Sequence, residues 1–338
     1  MSVIWTVLLT LLMFGIIIFV HEGGHLLCAK ACGIYVEEFS VGMGPLLFSF
    51  TKGDTKYSLR LLPIGGYCNM PGEDGESEYE NGFDKKSVPK RMLVVAGGAL
   101  FNILFAVLLF IVAFMGLGTS TSEPLIGEVS EDYPAYEAGL ESGDRILSIN
   151  GTAVDSWSDM TALIQSNVGE ELALTVERDG ETLELSVTPV ENENGTGVIG
   201  IVAARESVSV FEAVKIGFVQ TYELTKLVLV SLWQMITGAI GLELAGPVGV
   251  GQMVGQAASY GFFNFLVFIA AISVNLGVVN LLPLPALDGS RLVFLLIEGI
   301  RRKPISPSVE GTIHFVGFIL LMVLMVVITY FDITRLAG

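Results

Sequence analysis

The cluster best suited to chemistry in this sequence is His21-Glu22-Gly23-Gly24-His25. On an α-helix, residues at i and i+4 share a face. His21 and His25 can therefore bind one divalent ion, and Glu22 can reach a water on it. Zinc lowers the pKa of such a water to about 7, and an adjacent carboxylate can take its proton. That is the chemistry of hydrolysis. A short match of this kind in a soluble helix is often coincidence. Here it ends the apolar run Val3–Val20, and ionisable groups at membrane depth are costly enough to mark function. Gly23 and Gly24 are poor helix formers, at about 1 kcal/mol each relative to alanine. Their small size would admit either a neighbouring helix packed closely or a substrate.

A catalytic zinc takes three protein ligands and a water, so a third ligand must come from elsewhere. Asp288 is the first candidate. It follows Asn280-Leu-Leu-Pro-Leu-Pro-Ala-Leu, where Pro283 and Pro285 break the helix. Irregular backbone at membrane depth is tolerated only where protein or a cavity surrounds it, and a carboxylate there needs a partner. Cys28, three residues after His25, and His314, at the start of the last apolar stretch, are the other candidates. Each has a commoner use: a free cysteine packs as a small apolar group, and a lone histidine near a membrane surface forms hydrogen bonds. Asn280 could hold a substrate backbone or polarise a carbonyl, or it could only bond a neighbouring helix. For Asn102 the interhelical bond is the expected role. Gly246-Pro247-Val248-Gly249 reads as a flexible gate or a loop.

These residues need an apolar scaffold, and the composition supplies one. Of 338 residues, 52% are hydrophobic and 16% charged, a balance foreign to soluble domains. The stretches Val3–Val20, Met92–Leu117, Phe262–Leu282 and Phe315–Phe331 approach the ~20 residues that cross a bilayer. Leu227–Ile236 and Leu292–Ile300 look too short or too polar to span alone. The first stretch lacks the basic flank and small-residue cleavage site of a signal peptide, so it reads as a mature helix. Three cysteines, Cys28, Cys32 and Cys68, give no disulfide framework.

The net charge of −17 is concentrated: Thr119 to Glu212 holds 19 acidic and three basic residues. No basic stripe exists to neutralise phosphates, so no nucleic-acid partner is expected. Lys85, Lys86, Lys90 and Arg91, and Arg291, Arg301, Arg302 and Lys303, flank the apolar runs. The excess of basic residues on the cytoplasmic side then places 21–91 and 283–312 inside, and the acidic insert and both termini outside.

The 34–70 segment reads as β, with Lys52-Gly53-Asp54 as a hairpin turn. It is apolar on both faces, which suits a hairpin that dips into the membrane under a cover of protein. In the insert, strands are expected at Leu125–Val129, Arg145–Ile149, Leu172–Arg178 and Thr182–Val187. A helical turn falls at Pro134–Ala138, ended by Gly139, and an amphipathic helix at Trp157–Gln165. Asn150-Gly151 and Asp179-Gly180 are tight-turn signals. The pattern is that of a small α+β domain.

Taken together, these residues resemble the site-2 protease family of intramembrane zinc metalloproteases, in its bacterial regulator-of-sigma protease branch. The likeness runs over the whole chain. It rests on His21 to His25, on Asn280 to Gly289 as an Asn-x-x-Pro-x-Pro-x-Leu-Asp-Gly motif, and on Phe39-Ser-Val-Gly-Met-Gly-Pro45. Arg60-Leu-Leu-Pro-Ile-Gly-Gly-Tyr67 and Gly246-Pro-Val-Gly-Val250 also match. Pro134 to Gly151 resembles a PDZ domain. Gly97-Gly98-Ala99 departs from the family's usual Gly-Pro before Asn102, and Ser290 replaces a common second glycine.

The resemblance implies a polytopic α-helical membrane protein of about four transmembrane helices, with a membrane re-entrant β-hairpin and an inserted PDZ domain. The protease core would occupy 1–118 and 206–338, and the PDZ domain 119–205. It implies zinc bound by His21, His25 and Asp288, with Glu22 as general base. Substrate would be held by Asn280, Gly42, Gly44, Pro283 and Pro285. The implied substrates are single-span membrane proteins in the bilayer, already trimmed outside by a site-1 protease, such as anti-sigma factors or signal-peptide remnants. The implied location is the bacterial cytoplasmic membrane, with the active site toward the cytoplasm and the PDZ domain outside. The alternative is a catalytically inactive, PDZ-bearing membrane scaffold.

Overall fold

The computed structural model describes residues 2–192, 195–239 and 246–337; the other residues of the expected segments, 193–194 in the insert among them, lie outside it. The chain divides into two compact units. One comprises Met1–Ala113 and Val210–Gly338, the other Phe114–Ser209.

The first unit begins with α1 (Val3–Ala31), whose first turn is capped by the Ser2 hydroxyl accepting from the Trp5 amide at 3.4 Å. It ends where Gly33 adopts φ +67° and the Ile34 amide donates back to the Ala29 carbonyl, a glycine stop. Met13 and Ile17 on one side are buried, while Leu8, Leu12, Phe19 and Leu27 on the other are exposed. Such a helix is at home only in apolar surroundings.

Two long strands follow, β1 (Glu38–Lys52) and β2 (Thr55–Asn69), joined at Lys52-Gly53-Asp54 as the turn residues predict. The antiparallel hairpin doubles back on itself. Glu38–Val41 is paired on one side with Lys56–Leu59 and on the other with Gly66–Asn69. The bends fall at Gly42, Gly44 and Gly65, all at φ near +82 to +83°, a region glycine enters at little cost. At Gly42 a Cβ would also lie 2.6 Å from the Leu62 carbonyl oxygen. The fold-back is fastened by Arg60, which donates to Glu38, to the Ser40 hydroxyl, to the Gly44 carbonyl and to the Tyr67 hydroxyl. The outer reach of the hairpin exposes Leu46, Leu47, Phe48 and Phe50.

After this comes α2 (Val88–Leu117), with Pro89 in its first turn.

The second unit contains β3 (Thr119–Ser120), β4 (Ile126–Val129), α3 (Pro134–Glu137), β5 (Arg145–Ile149), β6 (Thr152–Ala153), α4 (Trp157–Ser166), β7 (Leu172–Arg178), β8 (Glu181–Val187), β9 (Val190–Glu191), β10 (Gly197–Val198), β11 (Ile201–Ala203) and β12 (Arg205–Glu206). Its main sheet has the order β6-β5-β7-β8, while β4 pairs with β11 and β3 with β12. Asn150-Gly151 and Asp179-Gly180 both have positive φ at the two turn positions, as a type I′ turn demands. Ile126, Ile146, Met160, Leu172 and Val176 form the core. Beside it, fully buried Asp144 is held by Arg178 through bonds of 2.7 and 2.8 Å.

The chain then returns to the first unit through α5 (Val210–Thr237), α6 (Pro247–Ser259), α7 (Phe262–Asn280), α8 (Asp288–Arg301) and α9 (Pro307–Ala337). Leu227–Ile236, too short alone to span, is the end of the 28-residue α5. Leu292–Ile300 lies in α8. Gly246 to Gly249, read as a gate or a loop, instead begins α6. There the Asp332 carboxylate of α9 accepts from the Gly246 and Gly249 amides at 3.2 and 2.9 Å, satisfying donors that a helix start leaves open. Among the described residues, α1, α2, α7 and α9 are long and apolar enough to cross a membrane.

Asp144→Ala leaves Arg178 beside a buried gap. Because Arg178 is partly exposed, the expected loss of stability in the second unit is about 2 kcal/mol, below the cost for a fully buried pair. Hydrogen exchange at the Ile146 and Val176 amides of the intact protein measures it, and unchanged protection would remove the pair from the account of this unit.

Candidate metal centre

The helical face predicted for His21 and His25 is real, and it points at α2. The His21 Nε2 and His25 Nε2 atoms lie 3.3 Å apart. Asp288 Oδ2 lies 3.1 Å from the first and 3.5 Å from the second. Among the described residues these three are the group whose ligand atoms all lie within 4.8 Å of one another. Cys28 is not part of it: its Sγ faces α2, where a Cβ on Gly97 would lie 2.8 Å away. His314 is not part of it either; it lies against Phe294 and 3.5 Å from the Ser290 hydroxyl.

The arrangement suits a cation. The His25 Nδ1 lies 2.9 Å from the Val94 carbonyl oxygen. A carbonyl only accepts, so Nδ1 carries a proton, and in the neutral ring that leaves the lone pair at Nε2. That lone pair faces buried Asp288 Oδ2, which has no hydrogen-bond partner. Lone pairs on nitrogen and carboxylate oxygen repel unless positive charge lies between them.

Three features of the sequence make this convergence possible. Gly24 and Gly97 allow α1 and α2 to touch: a Cβ on Gly24 would be 2.4 Å from the Gly97 carbonyl oxygen. Gly98 lies directly under the imidazoles, where a Cβ would be 2.4 Å from His25 Nε2 and 2.8 Å from His21 Nε2. Asp288 is delivered by the turn after α7, in which Ala286 takes φ +72°. Gly289 packs so closely against Leu281 and Leu282 that a Cβ would be 2.0 Å from the Leu282 carbonyl oxygen. The Ser290 hydroxyl, in place of a second glycine, donates to the Leu287 carbonyl at 2.8 Å and tightens the same turn. Gly23 has open space around its Cα, so close helix packing accounts for Gly24 alone.

A cavity of about 220 Å³ adjoins the three ligands and is lined also by Glu22, Gly66 and Tyr67. Gly66 brings the hairpin close: a Cβ there would be 3.1 Å from Glu22 Cγ. Asn280, Pro283, Pro285, Gly42 and Gly44 do not line this cavity. Asn280 ends α7, Pro285 packs against Gly317 of α9, and the two glycines shape the hairpin bend.

The sequence reading missed Glu73 and Arg291, which also line the cavity. Arg291 pairs with Glu73, Asp74 and Glu310, tying α8 to the loop after the hairpin and to α9. Burial pushes the Glu73 carboxyl up to about 7, against the pull of the Arg291 guanidinium. The same two residues also line a larger cavity of about 640 Å³. Arg91 of α2 pairs with Glu298 and fixes the far side of α8. No motif marks any of these residues, because their partners come from distant segments.

With this geometry in view, comparison with known proteins decides the family. Residues 9–324 match the pattern of peptidase family M50. The chain belongs to that family. It is similar to the zinc metalloprotease RasP of Oceanobacillus iheyensis, 33% identical over 421 aligned positions, covering 98% of this chain and 99% of the relative. It is similar to the regulator of sigma-W protease RasP of Bacillus subtilis, 35% identical over 417 positions, with 98% and 99% covered. A protein of Clostridium perfringens is 39% identical over 330 positions, with 97% and 98% covered. The alignments to the two RasP proteins run over more positions than this chain's 338 residues, so those relatives are longer, whereas the Clostridium alignment is not longer than the chain. Among solved structures, the PDZ domain of an SdrC-like protein from Listeria innocua is 27% identical, covering 25% of this chain and 96% of that one, at a TM-score of 0.23.

Gly98→Ala places a methyl group against both ligand nitrogens. The expected result is at least a tenfold loss of zinc affinity, the scale seen when the surroundings of a metal ligand are disturbed. Gly23→Ala, with space to spare, should keep parent affinity. Equal zinc content in both variants at limiting metal would contradict this reading of the site.

Proposed function

We propose that this M50 peptidase cleaves single-span membrane proteins within the bilayer, at a zinc held by His21, His25 and Asp288. The carrying observation is the convergence of those three ligand atoms beside Glu22 at the end of an apolar helix. The enzyme is a zinc metalloprotease, in keeping with its family and with the names of its RasP relatives. Zinc, when bound, supplies Lewis acidity toward the scissile carbonyl and the attacking water. Glu22 takes the proton of that water at its carboxylate and passes it to the leaving amide nitrogen. His25, fixed by the Val94 carbonyl, and Asp288, fixed through α8, hold the ligand set in register.

A transmembrane helix must unwind before one of its peptide bonds can be attacked. Gly66–Asn69 is the hairpin segment nearest Glu22, and among the described residues its strand partner is Glu38–Val41, on one side. An extended substrate segment can add there as a further strand. The exposed apolar reach of the hairpin, Leu46 to Phe50, supports its entry into the membrane. Asn280 and the Pro283–Pro285 turn would hold the far side of the unwound segment, and Gly42 and Gly44 would shape the strand it meets.

Within the unit 114–209, residues 119–205 are read as a PDZ domain outside the membrane that excludes untrimmed proteins. That fits substrates such as anti-sigma factors or signal-peptide remnants after a first cut by a site-1 protease. The catalytic side faces the cytoplasm, as the basic residues near 85–91 and 301–303 favour. A scaffold without activity would have no use for Glu22.

Two measurements test this. Glu22→Gln should keep its zinc and lose at least ~10³-fold in cleavage of a trimmed single-span substrate; equal cleavage by parent and variant would end the assignment of Glu22. A cysteine introduced at Asn150 should react with an impermeant maleimide from outside intact cells, and one at Lys303 should not. The reverse pattern would invert the proposed orientation.

A further inference from the structure

His25 owes its orientation to a backbone carbonyl, and the same question arises for His21. The group beside His21 Nδ1 is the Asn102 side-chain amide of α2, 3.3 Å away. Asn102 is fully buried, and its Oδ1 has no hydrogen-bond partner. Its backbone is held in place. The Asn102 carbonyl accepts from the Ser273 hydroxyl of α7 at 2.8 Å. Gly277 lets α7 approach so closely that a Cβ there would be 2.9 Å from the Ala99 carbonyl oxygen.

For His21 Nε2 to bind a metal it must be unprotonated, so Nδ1 must carry the ring proton. An amide nitrogen facing that proton would set donor against donor. The two ends of a carboxamide have the same shape, and turning it end for end puts Oδ1 where it can accept. That rotation gives the His21 proton an acceptor in Oδ1 and moves the amide nitrogen to the position where the oxygen had no partner.

We infer that Asn102 is a positioning residue of the metal centre: its Oδ1 accepts the His21 Nδ1 proton and so fixes the tautomer that presents Nε2 to zinc. The inference rests on the metal reading above. It assigns to a side chain on α2 the role that the Val94 carbonyl plays for His25. The interhelical bond expected of Asn102 is thereby also a bond to a ligand.

The test measures zinc affinity of the full-length protein in detergent by competition with a chromogenic chelator, across pH. Asn102→Leu removes the acceptor and should weaken zinc binding by about 10- to 100-fold. Asn102→Asp keeps an oxygen acceptor and no donor, so it should bind zinc as tightly as the parent or more so. Ser273→Ala, which loosens the α2–α7 contact without touching His21, should stay within about twofold. Parent-like affinity in Asn102→Leu would overturn the assignment. So would weak binding by Asn102→Asp, because that result would make the amide a donor; this arm decides even where the leucine variant does not fold. His25→Ala serves as the reference for the site itself. If the parent binds no more zinc than His25→Ala, the metal reading fails and the role of Asn102 falls with it.

Discussion

Everything in the helical unit depends on holding three lone-pair donors against one another in apolar surroundings. Two imidazole nitrogens and a carboxylate oxygen within 4.8 Å would push their lone pairs apart without positive charge between them. The fold meets this demand by removing side-chain volume. Gly24, Gly97 and Gly98 let two helices touch where the ligands meet, and Gly289 lets the chain turn sharply enough to present Asp288. The ion pairs of Arg91 and Arg291 then hold α8, so that the carboxylate arrives from a fixed direction.

The elements nearest the centre are therefore the ones with least freedom. The hairpin carries its own fastening in Arg60 and Glu38 and reaches Glu22 only through Gly66. By contrast, α9 touches the rest of its unit at few points, with Pro285 packed against Gly317 and Asp332 capping α6. Most of its surface is apolar and exposed, as expected of a helix whose main neighbour is lipid.

Much of this was legible in the sequence because it obeys short-range rules. The four apolar runs, the His21–Glu22–His25 face and the turns at Asn150-Gly151 and Asp179-Gly180 follow from periodicity and backbone sterics. Four strands of the second unit, β4, β5, β7 and β8, and its two helices follow in the same way, while its short strands do not. What could not be read depends on which distant segments touch. Cys28 and His25 are near neighbours in sequence, yet one packs on α2 and the other faces the ligand cluster. The Val94 carbonyl has no side-chain signature at all. Glu73 and Arg291 look like ordinary loop and helix charges until the fold pairs them. The opening of α6 was hidden because its cap, Asp332, lies near the other end of the chain.

The ligands are also separated in time. Asp288 follows His21 and His25 only after four further helices of the core, the hairpin and the whole second unit. A ribosome that stalls anywhere before Asp288 releases a chain with two imidazoles and no third arm. The order of synthesis thus sets the order of assembly: the three-ligand cluster is complete only once the start of α8 has joined the two imidazoles of α1.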